Sequence, residues 1–200
     1  MTEQPDRVLA FWFGPPGSAS EIAGRQRKLW FGKSPENDRA VIEGFAATLA
    51  AGTAGDLDHW ARTPRGRLAL VIVLDQFPHH VYRDQPQAFA TDPQSLALSL
   101  DALESGEDRK LAPIERVFLY LPLEHAESLE LQQRSVSLYE QLSREAAADE
   151  CALFDGFLGY ARKHRDVVAR FGRFPHRNEI LGRTSTPDEV EFLKQPGSRF

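Results

Sequence analysis

Four times in this chain a small polar residue is followed directly by proline: Ser34-Pro35, Thr63-Pro64, Asp92-Pro93 and Thr186-Pro187. Each pairing marks a helix start. The first side chain can accept a backbone N–H left over at a helix N-terminus, and proline lacks the N–H that would otherwise be orphaned. Thr186 with Glu189 adds the reciprocal contact of a capping box. With apolar periodicity between these starts, the sequence predicts helices over roughly 4–13, 24–31, 35–51, 64–77, 93–105, 113–121, 124–147, 151–172 and 187–195. Gly14, Gly32, Gly52, Gly106 and Gly172 fall where left-handed C-terminal caps are wanted. Strand signals are scarce. Asp155-Gly156 lies inside a helical pattern, and Leu70–Leu74 follows a Thr-Pro start that favours helix over buried strand.

The expected fold is therefore all-α: a single-domain antiparallel helical array over residues 1–200, with about nine helices and little or no strand. Two hundred residues, 42% hydrophobic and with 13 Phe and 3 Trp, suffice for one sizeable core. The net charge of −5 argues against general nucleic-acid or anionic-membrane binding. Cys151, the single cysteine, leaves no internal disulfide and no cysteine-rich zinc site. The N-terminus, Met1 to Asp6, has no signal-like pattern, and the apolar run Leu68–Leu74 is far short of the ~20 residues that span a bilayer. A cytoplasmic protein is the expectation.

Two short echoes stand out. Phe11-Trp12-Phe13-Gly14 recurs as Leu29-Trp30-Phe31-Gly32, and Phe77-Pro78-His79 as Phe174-Pro175-His176. Both read as a reused helix stop, and no regular repeat period accompanies them.

Placing residues at 100° intervals brings polar groups onto apolar faces. In 151–172, Leu153, Phe157, Tyr160, Val168 and Phe171 form the apolar side with His164 at its middle. In 124–147, His125, Ser128 and Gln132 share a stripe with Leu129, Val136 and Tyr139, while Glu127 and Arg134 point outward. Asp75 lies among Leu68, Val71 and Ile72, so it must be paired or protonated, with Arg83 or a histidine as its candidate partner. An inward set of Asp75, His125, Gln132 and His164 has two explanations: a buried network tying helices together, or the lining of a pocket.

The segment from Arg173 to Thr186 bears on that choice. It places Arg173, His176, Arg177, Asn178 and Arg183 between two helices with little acid nearby in sequence. Arginine forks take carboxylate or phosphate in bidentate fashion. A solvated basic loop salt-bridged to the acidic remainder is the competing reading.

The chain resembles a bacterial family catalogued as domain of unknown function 924. The likeness runs through the Trp-Phe-Gly start, Arg65-Gly66-Arg67-Leu68, Leu74-Asp75-Gln76-Phe77-Pro78, Tyr82-Arg83 and Ala88–Asp92. It continues through Glu115-Arg116, Glu124-His125-Ala126-Glu127, Gln132, Tyr160–His164, Phe171–Asn178 and Leu181–Thr186. It implies an all-helical, TPR-like fold and brings no catalytic residues with it. His79-His80 departs from the Arg-Asn pair the resemblance would place there, which argues against chemistry at either position.

Other signatures are missing. Gly32-Lys33-Ser34 lacks the glycine five residues upstream that a phosphate loop needs, since Arg27 stands there. There is no Gly-x-Ser-x-Gly elbow and no His-Glu-x-x-His motif, and no histidine has glutamate three residues before it. No cofactor or metal is called for. The expected function is binding of a small anionic metabolite, bearing phosphate or carboxylate, with His125, His164 and Asp75 as candidate catalytic groups. Arg83, Gln132, Arg173, His176, Arg177, Asn178 and Arg183 are the candidate ligand-binding groups. The alternative is a TPR-like module that binds a protein or peptide without catalysis.

Overall fold

The computed structural model describes residues 4–199, so Met1, Thr2 and Glu3 of the N-terminal stretch discussed above lie outside it, as does Phe200. Its helices are α1 (Pro5–Phe13), α2 (Ala19–Phe31), α3 (Pro35–Thr53), α4 (Pro64–Val71), α5 (Phe77–Val81), α6 (Asp92–Ser105), α7 (Pro113–His125), α8 (Leu129–Glu145), α9 (Cys151–Phe171) and α10 (Pro187–Leu193). A π turn, Ile72–Gln76, joins α4 to α5. Counted as one, these two leave nine helices, and no strand occurs among the described residues.

Three of the four cap-proline starts form as expected. Ser34 accepts from the Asn37 N–H at 3.4 Å and Thr63 from Gly66 at 3.1 Å. Thr186 and Glu189 exchange both bonds of a capping box. The fourth does not. Thr91 is the residue flanking α6, and the Asp92 carboxylate turns instead to Arg177. The glycine caps divide too. Gly106 and Gly172 are left-handed, Gly14 has positive φ in another region, Gly32 is extended, and Gly52 stays inside α3.

Continuous apolar sequence buries the α4 segment on every side: Leu68 to Leu74 are at most 2% exposed. Around it an aromatic cluster gathers the first echo. Trp12 and Trp30 lie 6.5 Å apart, each packs on Phe118, and Trp30 Nε1 donates to the Trp12 carbonyl at 2.8 Å. Thus the repeated Trp-Phe-Gly ends of α1 and α2 meet in one core. α8 and α9 pack along each other, and α7 packs against both.

Two predicted faces are rotated. In α9 the buried positions are Phe154, Leu158, Ala161, His164, Val167 and Val168, leaving Tyr160 54% exposed. His164 stays central because both registers pass through it. The predicted helix 124–147 is broken: α7 runs on through Pro122 to His125, and a new start capped by Ser128 begins α8. Leu129 consequently sits in the first turn of α8, 42% exposed, rather than on the stripe.

Candidate functional site

Pro78 shapes the site. It has no N–H to return to the carbonyl of Leu74, and a proline inside a helix disturbs the turn before it. The chain answers with the π turn, in which the Phe77 N–H reaches back five residues to Ile72. The Leu74 carbonyl takes the Thr91 hydroxyl instead, at 2.5 Å. Asp75 sits inside this distorted turn, and π turns recur where helices carry function.

Asp75 is wholly buried. Its Oδ1 lies 3.0 Å from His125 Nδ1, and its Oδ2 accepts from Gln76 Nε2 at 2.5 Å. His125 closes α7, where the carbonyl end of a helix favours a cation. Its ring lies 5.8 Å from that of His79 and 6.4 Å from that of His164. His164 makes a second carboxylate–histidine contact, Nδ1 to Glu124 Oε1 at 3.0 Å, with both side chains buried. The Tyr160 carbonyl lies 2.9 Å from the same nitrogen.

Residues 173–183 fold against this pair of histidines. Phe174 packs 5.5 Å from His164, and His176 lies 5.7 Å from Phe174. The Arg177 guanidinium packs on the rings of Phe89 at 4.6 Å and Phe174 at 4.8 Å, and its Nη1 is 3.3 Å from Asp92 Oδ2. The second echo therefore has a shared destination. Phe77-Pro78-His79 and Phe174-Pro175-His176 each deliver a histidine close enough to feel the charges of His125 and Arg177.

The other arginines of the segment are engaged in holding it. Arg173 grips Glu189 with two nitrogens, at 2.7 and 2.8 Å, and gives a third bond to the Thr184 carbonyl. Arg183 spans both oxygens of Glu127 and donates to Asn178 Oδ1 and the Phe174 carbonyl. Glu127, expected to face outward, also accepts from the Phe174 N–H at 2.7 Å. Asn178 donates to Ser185 and Glu189.

Arg83 is placed elsewhere. Its fork holds Asp38, which His80 also contacts at 2.8 Å, so Asp75 is matched by His125 alone of the two partners considered. Gln132, fully buried, donates from Nε2 to the Glu124 and Ala126 carbonyls at 2.5 and 2.9 Å, closing the end of α7 below His125.

Electrostatics separate the histidines. Burial opposes the His125 imidazolium, but the Asp75 carboxylate outweighs it by charge and hydrogen bond, and raises the pKa. Asp75 is correspondingly lowered: burial alone would raise it, and the His125 cation reverses the sign. Burial pushes His79 and His176 down to about 3, so both are neutral near pH 7. Burial, with the nearby Asp75 charge, lifts Asp92 to about 6. In one ring the protonated form is thus favoured, at the end of a buried ion pair, with the neutral imidazoles of His79 and His176 near it.

Sequence reasoning missed His79, Asp92 and Glu124. His79 stands four residues after Asp75, the spacing that shares a helix face, and that signal was available. Asp92 was taken for a cap, and its partner Arg177 lies 85 residues away. Among the described residues, no group of three or more His, Cys, Asp or Glu side chains is placed to hold a metal ion.

Fold and site together define an all-helical protein in which two carboxylate-held histidines lie beneath a clamped C-terminal segment. The chain belongs to the family described as "Bacterial protein of unknown function (DUF924)", which matches residues 8–197. A solved structure, that of a protein of unknown function from Agrobacterium tumefaciens, is 34% identical and superposes with a TM-score of 0.80. The match covers 95% of this chain and 96% of that one. A comparison with curated proteins gave no match.

Proposed function

We propose that Asp75, His125, His79, His164, Asp92 and Arg177 form a binding site for a small anionic metabolite carrying a carboxylate or phosphate. The observation behind this reading is the asymmetry of the central ion pair. Asp75 is fully buried, whereas the His125 side chain is 17% exposed, so the cationic edge of the pair is the one that reaches outward. With Nδ1 committed to Asp75, the opposite nitrogen, Nε2, is left to donate to an anion. A proton held there is also one that can be given to a bound substrate, which is the chemistry expected of a carboxylate-oriented histidine. Arg173 and Arg183 take a different part from the one their sequence suggested: their donors are spent on Glu189 and Glu127, so they fasten the segment while Arg177 faces the ligand.

The exposed large apolar side chains, Phe31, Ile42, Leu129, Tyr160 and Val190, come from five different helices, so the metabolite reading is preferred here to a peptide groove. Thermal unfolding of the protein with inorganic phosphate and with simple carboxylates at pH 6.5 tests the proposal. Wild-type protein should be stabilised in a dose-dependent way, and His125→Gln should lose that response. Equal stabilisation of the variant, or none of the wild type by any of these anions, would overturn it.

A further inference from the structure

The ion pair between Arg177 and Asp92 is incomplete in a particular way. Arg177 is 7% exposed, and only its Nη1 reaches Asp92, through Oδ2. Its Nε and the second Asp92 oxygen, Oδ1, are buried, and neither has a hydrogen-bond partner among the described residues. A guanidinium and a carboxylate set fork to fork would satisfy both atoms at once. Here the guanidinium packs against the rings of both Phe89 and Phe174, and it meets the carboxylate through one nitrogen and one oxygen. What remains is a buried donor and a buried acceptor on the two partners of one ion pair, whose charges act on the Asp75–His125 pair. Native proteins seldom leave such groups unmatched, and each calls for a partner.

Resting on the anion-binding site proposed above, we infer that its ligand is a 2-hydroxycarboxylate. The carboxylate accepts from Arg177 Nε and from the His125 ring, and the adjacent hydroxyl donates to Asp92 Oδ1. A plain carboxylate answers only the donor and sets its charge against the Asp92 oxygen. A 2-amino acid would supply a donor as well, but its ammonium would be repelled by Arg177 and the His125 cation while attracted by Asp92, whereas a neutral hydroxyl meets Asp92 Oδ1 without that repulsion.

Calorimetric titration of the full chain at pH 6.5 with matched pairs, lactate against propionate and malate against succinate, tests the inference, with inorganic phosphate as a third probe. Each hydroxy acid should bind at least about tenfold tighter than its deoxy partner, because a site built to take up a hydroxyl leaves a buried acceptor unmatched without it. In Asp92→Asn the amide oxygen would stay with Arg177 and present its NH2 to the ligand, so lactate and malate should lose their advantage over propionate and succinate. Equal binding of both members of each pair to wild type overturns the inference and leaves the anion site standing, as does binding of phosphate alone. Binding of none of the probes removes both. A crystal structure showing a water bridging Arg177 Nε and Asp92 Oδ1 with lactate present at saturation also overturns it.

Discussion

Asp75 has no access to water, so its charge depends on the protein around it, foremost on His125, with His79 and Gln76 acting in the same sense. Replacing it by asparagine keeps the shape and removes the charge that holds the His125 proton. The His125 pKa, raised in the wild type, should then fall below that of an ordinary histidine, because burial and the Arg177 charge would be opposed only by the weaker pull of Asp92. NMR titration of the imidazole carbons reads this directly; an unchanged His125 pKa in Asp75→Asn would show that Asp75 is not its counter-ion. At this scale much was legible. Helical angle alone put Asp75, His125, Gln132 and His164 inside, and all four have little exposure. Angle around one helix does not say which other helix is adjacent. That is why Arg83 was offered to Asp75, although it is held by Asp38, 45 residues away, and why Asp92 was read as a local cap rather than a partner for Arg177.

The α4–α5 helix shows how a local conflict is settled by a distant residue. Pro78 deprives the Leu74 carbonyl of its helical donor, and Thr91, seventeen residues on, supplies the replacement. Both groups are buried, so Thr91→Val, which keeps the shape and removes the hydroxyl, should destabilise by about 1–3 kcal/mol. Thr91→Ser should recover most of that loss. Urea unfolding midpoints measure both, and a Thr91→Val protein as stable as wild type would mean that the Leu74 carbonyl needs no such donor. The sequence showed this helix and its proline but not the π turn, because the turn depends on tertiary satisfaction of one carbonyl. The start of α2 was legible and overlooked: Ser18 and Glu21 have the spacing of a capping box and form one. The break between α7 and α8 was misplaced because Pro122 reads as a stop, yet the helix continues through it to His125.

Over the whole molecule the site leaves a signature in how stability varies with acidity. His79 and His176 have folded pKa values of about 3, against 6.5 for the ordinary group. Depressed in the folded state, they contribute stability that is complete above pH 6.5 and is lost as pH falls towards 3, since only the unfolded chain takes up their protons. Asp92 acts in the opposite sense. Its folded value of about 6 lies above the usual 3.8, so its contribution is present below 3.8 and is lost as pH rises through 6. Between pH 4.5 and 6 His79 and His176 oppose Asp92, so these three groups leave the unfolded chain with one proton more, and the lowered His80 adds in the same sense. Stability should therefore rise by about 1.4 kcal/mol per pH unit or more across that window. Below 4.5 Glu189, held down to about 2 by Arg173, adds to the loss on further acidification as the clamp on residues 173–183 gives way. Above 6.5 the raised His125 reverses the trend, because its contribution disappears as the ring loses its proton. Two variants separate the terms. His176→Gln should flatten the slope between pH 4.5 and 6, and Asp92→Asn should roughly double it. Urea unfolding at half-unit pH steps measures the slopes. Identical slopes in wild type and both variants would show that these residues titrate alike in the folded and unfolded chains, and the electrostatic picture of the site would fail.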